Sequence, residues 1–230
     1  MTAEVFAGAS LFSIVVGFAA GLSRLTPFLP LRGLAIAYIE VFRGTSALVQ
    51  LFWFYFVLPL MGVMLPPLLV GIVVLGLNYG AYTAELVRGA VNSVPSGQTD
   101  AARALNMGLV HRMWRIILPQ AIVRMLPPLG NLQIELLKNT ALVSFIGVHD
   151  LTFSGRILLQ PYPQRTLEIF GLSLVFYFLF SLGVTAVIRT LERVRGALDT
   201  RRPRRRTNYA ADLLELRDSL GEGRLDEDRA

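Results

Sequence analysis

The feature that most constrains this chain is a long stretch without charge, since no charged residue occurs between Arg43 and Glu85. One helix of about 20 apolar residues crosses a bilayer, so the stretch is long enough for two crossings. Prolines and a glycine interrupt it between Leu58 and Pro67, and proline ends or kinks a helix. The stretch therefore predicts two membrane spans, near 46–64 and 67–85.

Three further segments are candidate spans. The charge-free run from Ile169 to Ile188 predicts a span near 167–188, and a weaker apolar segment covers 3–22. A signal peptide is the competing interpretation of that segment, but no basic region precedes it. Residues 128–147 are long enough to span, yet a charge at mid-bilayer costs about 2.5–3.5 kcal/mol. That helix must lie inside a bundle or against a water-filled path, because it contains Asn131, Gln133, Glu135, Lys138 and Asn139.

Charge distribution predicts how the spans are oriented. The net charge of +6 combines a basic part, residues 1–206 at +10, with an acidic segment, 207–230 at −4. Arginines concentrate in three segments, 23–45, 86–127 and from 189 onward. Basic residues accumulate in cytoplasmic loops, so we expect the N-terminus outside and the C-terminus in the cytoplasm. The fold class predicted is an all-α integral membrane protein with about five spans, and the basic charge needs no nucleic acid to explain it.

The sequence gives no support for catalysis or cofactor binding by this chain. It has no cysteine, which excludes a disulfide framework and thiolate metal sites. His111 and His149 lie in loops on opposite sides of the predicted membrane, so no metal site is predicted. A phosphate-binding loop needs Gly-x4-Gly-Lys-Ser/Thr, but the one lysine, Lys138, follows Leu137. No nucleotide site is expected, and the chain is not predicted to be an enzyme.

The basic loop 86–127 is too long for a simple connector and predicts a helical hairpin near 95–119. Pro95 and Ser96 favour a helix start, and alanines follow Asp100. Gly108 is expected to break this helix, and Pro119 to end a second helical stretch beginning at Val110. From the physics alone, an amphipathic hairpin lying on the membrane surface remains an alternative interpretation.

This hairpin resembles the EAA loop of bacterial ABC importer permeases, whose pattern is Glu-Ala-Ala, three residues, Gly, nine residues, Ile-x-Leu-Pro. Asp100-Ala101-Ala102, Asn106 and Ile116-x-Leu118-Pro119 stand at that spacing. Other segments over about residues 10–195 resemble polar amino-acid permeases of the histidine/glutamine type. They are Tyr38–Thr45, Leu48–Phe52, Gly80–Glu85, Leu126–Asn131 and Leu136–Leu142.

The sequence departs from the family pattern at three positions. Asp100 replaces the glutamate, Asn106 replaces the glycine with Gly108 two residues later, and Asn139 replaces a usual aspartate. Asparagine tolerates positive φ better than most residues, so a turn at Asn106 is plausible, although the turn could be shifted towards Gly108.

The resemblance implies a permease subunit in a multi-pass arrangement in the bacterial cytoplasmic (inner) membrane. Its implied partners are a dimer of ABC ATPases, which bind ATP and Mg, a second permease copy or a sister permease, an extracytoplasmic solute-binding protein and the lipid bilayer. The EAA loop would contact the ATPase and drive alternating access. The implied ATPase-coupling residues are Asp100, Ala101, Ala102, Arg103, Asn106, Gly108, Ile116, Leu118 and Pro119.

Helical spacing gives candidates for the substrate path. Asn131, Glu135 and Lys138 share one face of the fourth span, and Asn78 and Tyr82 share one face of the third. A polar stripe on an intramembrane helix is a functional-site hypothesis, and a carboxylate beside an ammonium would suit a zwitterion. The alternative is that Glu135 and Lys138 pair with each other and only fix helix packing.

The predicted function is import of a small polar amino acid or similar zwitterion, a class that includes compatible solutes such as ectoine. A passive channel or a secondary transporter, which needs no ATPase, is the alternative. We expect a transmembrane permease domain over 1–196 and a cytoplasmic tail over 197–230, whose acidic excess and glycines favour disorder.

Overall fold

The computed structural model describes residues 1–199, whose regular secondary structure is helical, with no strand. The tail predicted to be disordered lies outside the described residues from residue 200 onward. The α-helices are α1 (Thr2–Arg24), α2 (Leu29–Gly44), α3 (Ala47–Phe52), α4 (Pro67–Asn92), α5 (Ser96–Ala104), α6 (Leu109–Arg112), α7 (Leu118–Asn139), α8 (Leu151–Leu159) and α9 (Thr166–Asp199). Five-residue π-helical turns occupy Trp53–Val57 and Met113–Ile117, and 3-10 turns occupy Leu58–Met61, Thr140–Ile146 and Pro163–Arg165.

Three helical segments within residues 1–199 are long and apolar enough to cross a membrane unaided. They are α1, α4 and the segment from Pro163 to Thr190. Two bent pairs also qualify, residues 29–44 with 47–61, and residues 109–146 with 151–159. The described residues therefore hold three spans, or up to five if each bent pair is one span.

A seam of small residues joins α1 to α4. Gly17 and Gly21, one helical turn apart on α1, are buried against α4. A Cβ built on Gly17 would lie 2.4 Å from Cβ of Thr83, and one on Gly21 would lie 2.8 Å from the Ala84 carbonyl oxygen. Small residues at such spacing let membrane helices approach closely. Glycine on α1, which weakens a helix in isolation, here makes the packing possible.

The contacts also fix the relative directions of the helices. Gly8 faces Ile72 near the start of both α1 and α4, and Gly21 faces Val87 near their ends, so these two helices run parallel. The chain must therefore cross back between them, and the bent pair of α2 and α3 lies in that interval. In contrast, α7 runs antiparallel to α4, because Asn139 bonds Tyr79 while Arg124 bonds Ser93.

The basic loop expected over 23–45 is largely helix in the structure. α2 occupies it, burying Ala35 and Ile39 while leaving its arginines exposed. The chain then turns by 104° into α3. Thr45 is extended at this bend, and its hydroxyl donates to the carbonyl of Val41 across 2.7 Å. Arg32 and Arg43 interrupt the apolar pattern, which predicts a loop, but in the structure they lie on the exposed face of α2.

Pro119 does not end a helix, which corrects the expectation for the hairpin. Both π-helical turns are followed directly by Leu-Pro, at Pro59 and at Pro119. Proline lacks an N–H and its ring collides with the carbonyl four residues earlier, here at Tyr55 and Arg115. A widened turn, closed by bonds between residues five apart, moves that carbonyl out of the way. The helix consequently continues through Pro119 to Asn139. It therefore begins well before the span expected over 128–147, and it ends before that span does.

The buried apolar side chains form two clusters. One joins α1, α3, α4 and α7 around Leu51, Val74 and Leu136. The other packs the end of α4 against the segment around Pro119, with Val87, Ala121 and Met125 at its centre. The first cluster includes residues of α4 and α7, the two helices that carry the polar stripes. The second cluster packs the hairpin against the end of α4.

Candidate functional site

The hairpin begins with the short helix α5 and a tightly closed turn. Asn106 has φ of 54°, the left-handed conformation expected at the family's glycine position. Its N–H donates to the Arg103 carbonyl across 2.8 Å, and the Met107 N–H donates to the Ala102 carbonyl across 3.0 Å. These two bonds form a Schellman motif, which usually places glycine at this position. The turn is therefore at Asn106, and Gly108 has φ of −62° and begins the next helix.

The outer face of α5 is free within the described chain. Asp100 and Arg103 form an ion pair with 3.6 Å between nitrogen and oxygen, and both side chains are about two-thirds exposed. Ala101 is exposed beside them, whereas Ala102 is buried against its own chain. Of the two motif alanines, Ala101 is therefore the one available to a partner.

The second half of the motif has a different location. Leu118 is buried, Ile116 is half-buried and Pro119 is exposed. The adjoining Ile117 belongs to the apolar cluster that holds the end of α4. A force applied to α5 would therefore reach the spans through this packed segment, since the helix continues from it into α7.

The polar side chains on α4 and α7 separate into exposed and buried groups. Tyr82 on α4 and Asn131, Glu135 and Lys138 on α7 are exposed in the single chain. No ion pair in residues 1–199 joins Glu135 to Lys138, so the structure does not show the internal pairing of the packing alternative. The guanidinium of Arg43 lies over the ring of Tyr82, 5.3 Å from its centroid. The exposed face of α7 therefore carries a carboxylate and an ammonium, and Tyr82 of α4 lies beside a guanidinium.

Asn78 lies in a buried hydrogen-bond network rather than on that exposed face. Its amide Nδ2 donates to Oε1 of Gln50 across 3.1 Å and to the Phe42 carbonyl across 2.9 Å. The amide of Gln50 in turn donates to the hydroxyl of Thr45 across 2.6 Å. The network ties α4 to the bend between α2 and α3. The structure thus gives Asn78 a packing role, and a role in the path stays a prediction.

Glu85 joins the ends of α1 and α4 electrostatically. Its carboxylate pairs with Arg24 at the last residue of α1 and with Arg88 on its own helix, the latter at 2.9 Å. All three charges lie at the end of the bundle that carries the hairpin. They hold α1 to α4 where the glycine seam ends.

Asp150 is a buried carboxylate that the sequence analysis did not single out. Its Oδ1 accepts the Phe153 N–H across 2.8 Å, which caps α8, and its Oδ2 accepts the Tyr177 hydroxyl across 3.1 Å. It therefore anchors α8 to α9. An aspartate just before a helix start was the available signal.

A family model described as "Binding-protein-dependent transport system inner membrane component" matches residues 13–196. A probable amino-acid ABC transporter permease, y4tF of Sinorhizobium fredii, is 44% identical over 79% of this chain and 78% of its own length. The glutamine transport system permease GlnP of Escherichia coli K12 is 38% identical over 78% of this chain and 83% of its own length.

A more distant relative and a solved structure agree with these matches. The L-cystine transport system permease TcyB of Bacillus subtilis is 32% identical over 80% of this chain and 78% of its own length. The crystal structure of an amino acid ABC transporter with histidines superposes with a TM-score of 0.78 and 35% identity. That match covers 84% of this chain and 90% of the other.

Proposed function

Since this chain belongs to the binding-protein-dependent transport system inner membrane components and resembles amino-acid ABC permeases, we propose that it carries a small polar amino acid or similar zwitterion into the cytoplasm. It is a multi-pass protein of the inner membrane. A partner ATPase supplies the energy, and an extracytoplasmic solute-binding protein delivers the substrate. The spans move by alternating access between outward-open and inward-open states.

The observation that carries this proposal is the exposed helix α5. The family motif forms an exposed helix with Asp100, Ala101 and Arg103 on its outer face. The helix ends at the turn at Asn106, and Ile117 packs the hairpin against the spans. A passive channel or secondary transporter needs no exposed helix on which an ATPase can dock. The coupling assignment covers Asp100, Ala101, Ala102, Arg103, Asn106, Gly108, Ile116, Leu118 and Pro119.

The substrate class follows from the exposed polar face and from the relatives. Glu135 and Lys138 are exposed on α7, which belongs to a bent pair long and apolar enough to span, and either charge would be costly against lipid. A second permease, either another copy or a sister chain, covers this face and leaves a polar path lined by Tyr82 and Asn131. A zwitterion satisfies both charges. Glutamine and cystine are named for relatives, and compatible solutes such as ectoine belong to the same chemical class.

We also propose an orientation in the membrane and a division of the chain into two parts. The hairpin and the C-terminus face the cytoplasm, because the basic loops lie at that end of the bundle. Residues 1–196 form the permease domain, and 197–230 form a cytoplasmic tail.

The decisive experiment is reconstitution in proteoliposomes. The permease complex, with its ATPase and solute-binding protein, should accumulate labelled glutamine against a gradient only when ATP and Mg are supplied on the cytoplasmic face. A competition series with cystine, histidine and ectoine then identifies the substrate. Uptake that proceeds unchanged without ATP would establish the channel or secondary transporter instead.

A further inference from the structure

A groove separates the end of α1 from the start of the hairpin's second helix. One wall is formed by Leu25 and Pro27, and the other by Val110, Met113 and Trp114. The groove has a volume of about 330 Å³. Its lining is mostly apolar, with Arg112 as the charged member.

Arg112 is the unusual feature of this groove. The residue is 7% exposed, and its Nε is buried with no hydrogen-bond partner in the described part of the chain. A buried N–H that lacks an acceptor is costly, because it has lost its hydrogen bond to water without gaining another. The carboxylate of Glu85, at the same end of the bundle, is already held by Arg24 and Arg88.

The surroundings of Arg112 resemble a membrane interface rather than a protein core. Leu109, Val110 and Trp114 are 65%, 72% and 61% exposed around the groove. Tryptophan is enriched where the headgroups meet the hydrocarbon. The groove lies at the end of the bundle that carries the hairpin, which is proposed to face the cytoplasm, and a basic side chain near a span there attracts the anionic lipids of that leaflet.

We propose that this groove binds the headgroup of an anionic phospholipid. The phosphate accepts hydrogen bonds from the guanidinium of Arg112, a geometry for which arginine is well suited. The glycerol and the first methylenes lie between Leu25 and Val110. The bound lipid fastens the hairpin to the end of α1. This inference goes beyond transport itself and rests only on the proposed cytoplasmic orientation.

Thermal unfolding of the purified complex with its ATPase tests the lipid site. After delipidation in detergent, phosphatidylglycerol should raise the unfolding temperature of the wild type more than phosphatidylcholine does. Arg112→Met should lose this headgroup-dependent increment, whereas Arg112→Lys should keep part of it. Arg115→Met is the matched control, since Arg115 is exposed nearby and its loss should leave the increment intact.

Native mass spectrometry provides a second measurement that does not depend on stability. The wild type and Arg115→Met should each retain one more phosphatidylglycerol per permease than Arg112→Met. Equal stabilisation by both lipids, or an unchanged increment in Arg112→Met, would overturn the proposal. The acidic segment 207–230 is the competing occupant, and lipid dependence that appears only after its removal would also overturn the proposal. Neither measurement requires transport, so the result stands apart from that of the uptake assay.

Discussion

Asn78 on α4 donates a hydrogen bond to Gln50 on α3 across 3.1 Å, and both side chains are buried. The contact joins residues 28 positions apart and closes a network around the 104° bend that follows α2. Because no water is available in the hydrocarbon core, these amides depend on one another. The bend is therefore held by side chains as well as by the backbone.

Asn78→Ala should destabilise the permease by about 1–3 kcal/mol, because Oε1 of Gln50 loses its partner while remaining buried. The measurement is the thermal unfolding of the purified complex. Asn92→Ala, at an exposed position on the same helix, is the control and should have little effect. In the double variant with Gln50→Ala, the two losses should be less than additive, and strict additivity would argue against the network.

Gly17→Ala should weaken the seam between α1 and α4. The new Cβ would lie 2.4 Å from Cβ of Thr83, and overpacking of this kind costs about 1–3 kcal/mol. Alanine is intrinsically the better helix former, so destabilisation would be attributable to packing. Gly171→Ala, where a Cβ meets open space, should be neutral or slightly stabilising. Equal unfolding temperatures for the two variants would contradict the seam.

Asn106→Val should impair coupling, whereas Asn106→Gly should preserve it. The residue has φ of 54°, and the left-handed conformation costs an L-residue with a Cβ roughly 1–2 kcal/mol. A β-branched side chain should therefore distort the turn that positions α5. The ratio of substrate transported to ATP hydrolysed should fall in the valine variant only. Equal ratios for both variants would show that the conformation of this turn is unimportant for coupling.

Asp100→Lys should leave the complex inserted and assembled but uncouple ATP hydrolysis from uptake. The carboxylate is exposed on α5 beside Arg103, so the change places two positive charges where the ATPase is proposed to dock. Gln98→Lys introduces the same side chain at another exposed position of α5 without removing a carboxylate, and it should have a smaller effect. Normal uptake by Asp100→Lys would remove the coupling assignment.

Glu135→Gln should raise the KM for a zwitterionic substrate by roughly ten- to a hundredfold, because a charged hydrogen bond contributes about 1.5–3 kcal/mol. Uptake kinetics in proteoliposomes provide the measurement. Glu168→Gln, an exposed carboxylate at the start of α9, is the control. An unchanged KM with less assembled complex would favour a packing role for Glu135.

The sequence was sufficient for the helical class and the family, but not for the exact course of the helices. Arg32 and Arg43 were assigned to a loop because the span prediction relies on uninterrupted apolar runs. The structure places them on the exposed face of α2. The signals for the bend were present, since Gly44 can end a helix and Ser46 can begin one, but the bond between Gln50 and Asn78, which are distant in sequence, could not be predicted from them.

The prolines were harder to interpret, since their effect depends on the turn that precedes them. Pro119 has the same sequence signature whether a helix ends there or widens beforehand. In the hairpin, by contrast, the spacing of the motif predicted a turn at Asn106 or shifted towards Gly108, and the left-handed conformation of Asn106 shows that it is at Asn106. Whether Glu135 is exposed and Asn78 is buried depends on how each helix is rotated about its own axis. The spacing of polar residues along the sequence does not determine that rotation.

The seam between α1 and α4 also sets an order for biogenesis. Synthesis begins at the N-terminus, so α1 enters the membrane before the surface that receives Gly17 and Gly21 has been made. Until α4 follows, a glycine-lined helix must be sheltered by the insertion machinery or remain alone in lipid. Translation that stops before Pro67 therefore leaves α1 in the membrane without its packing partner.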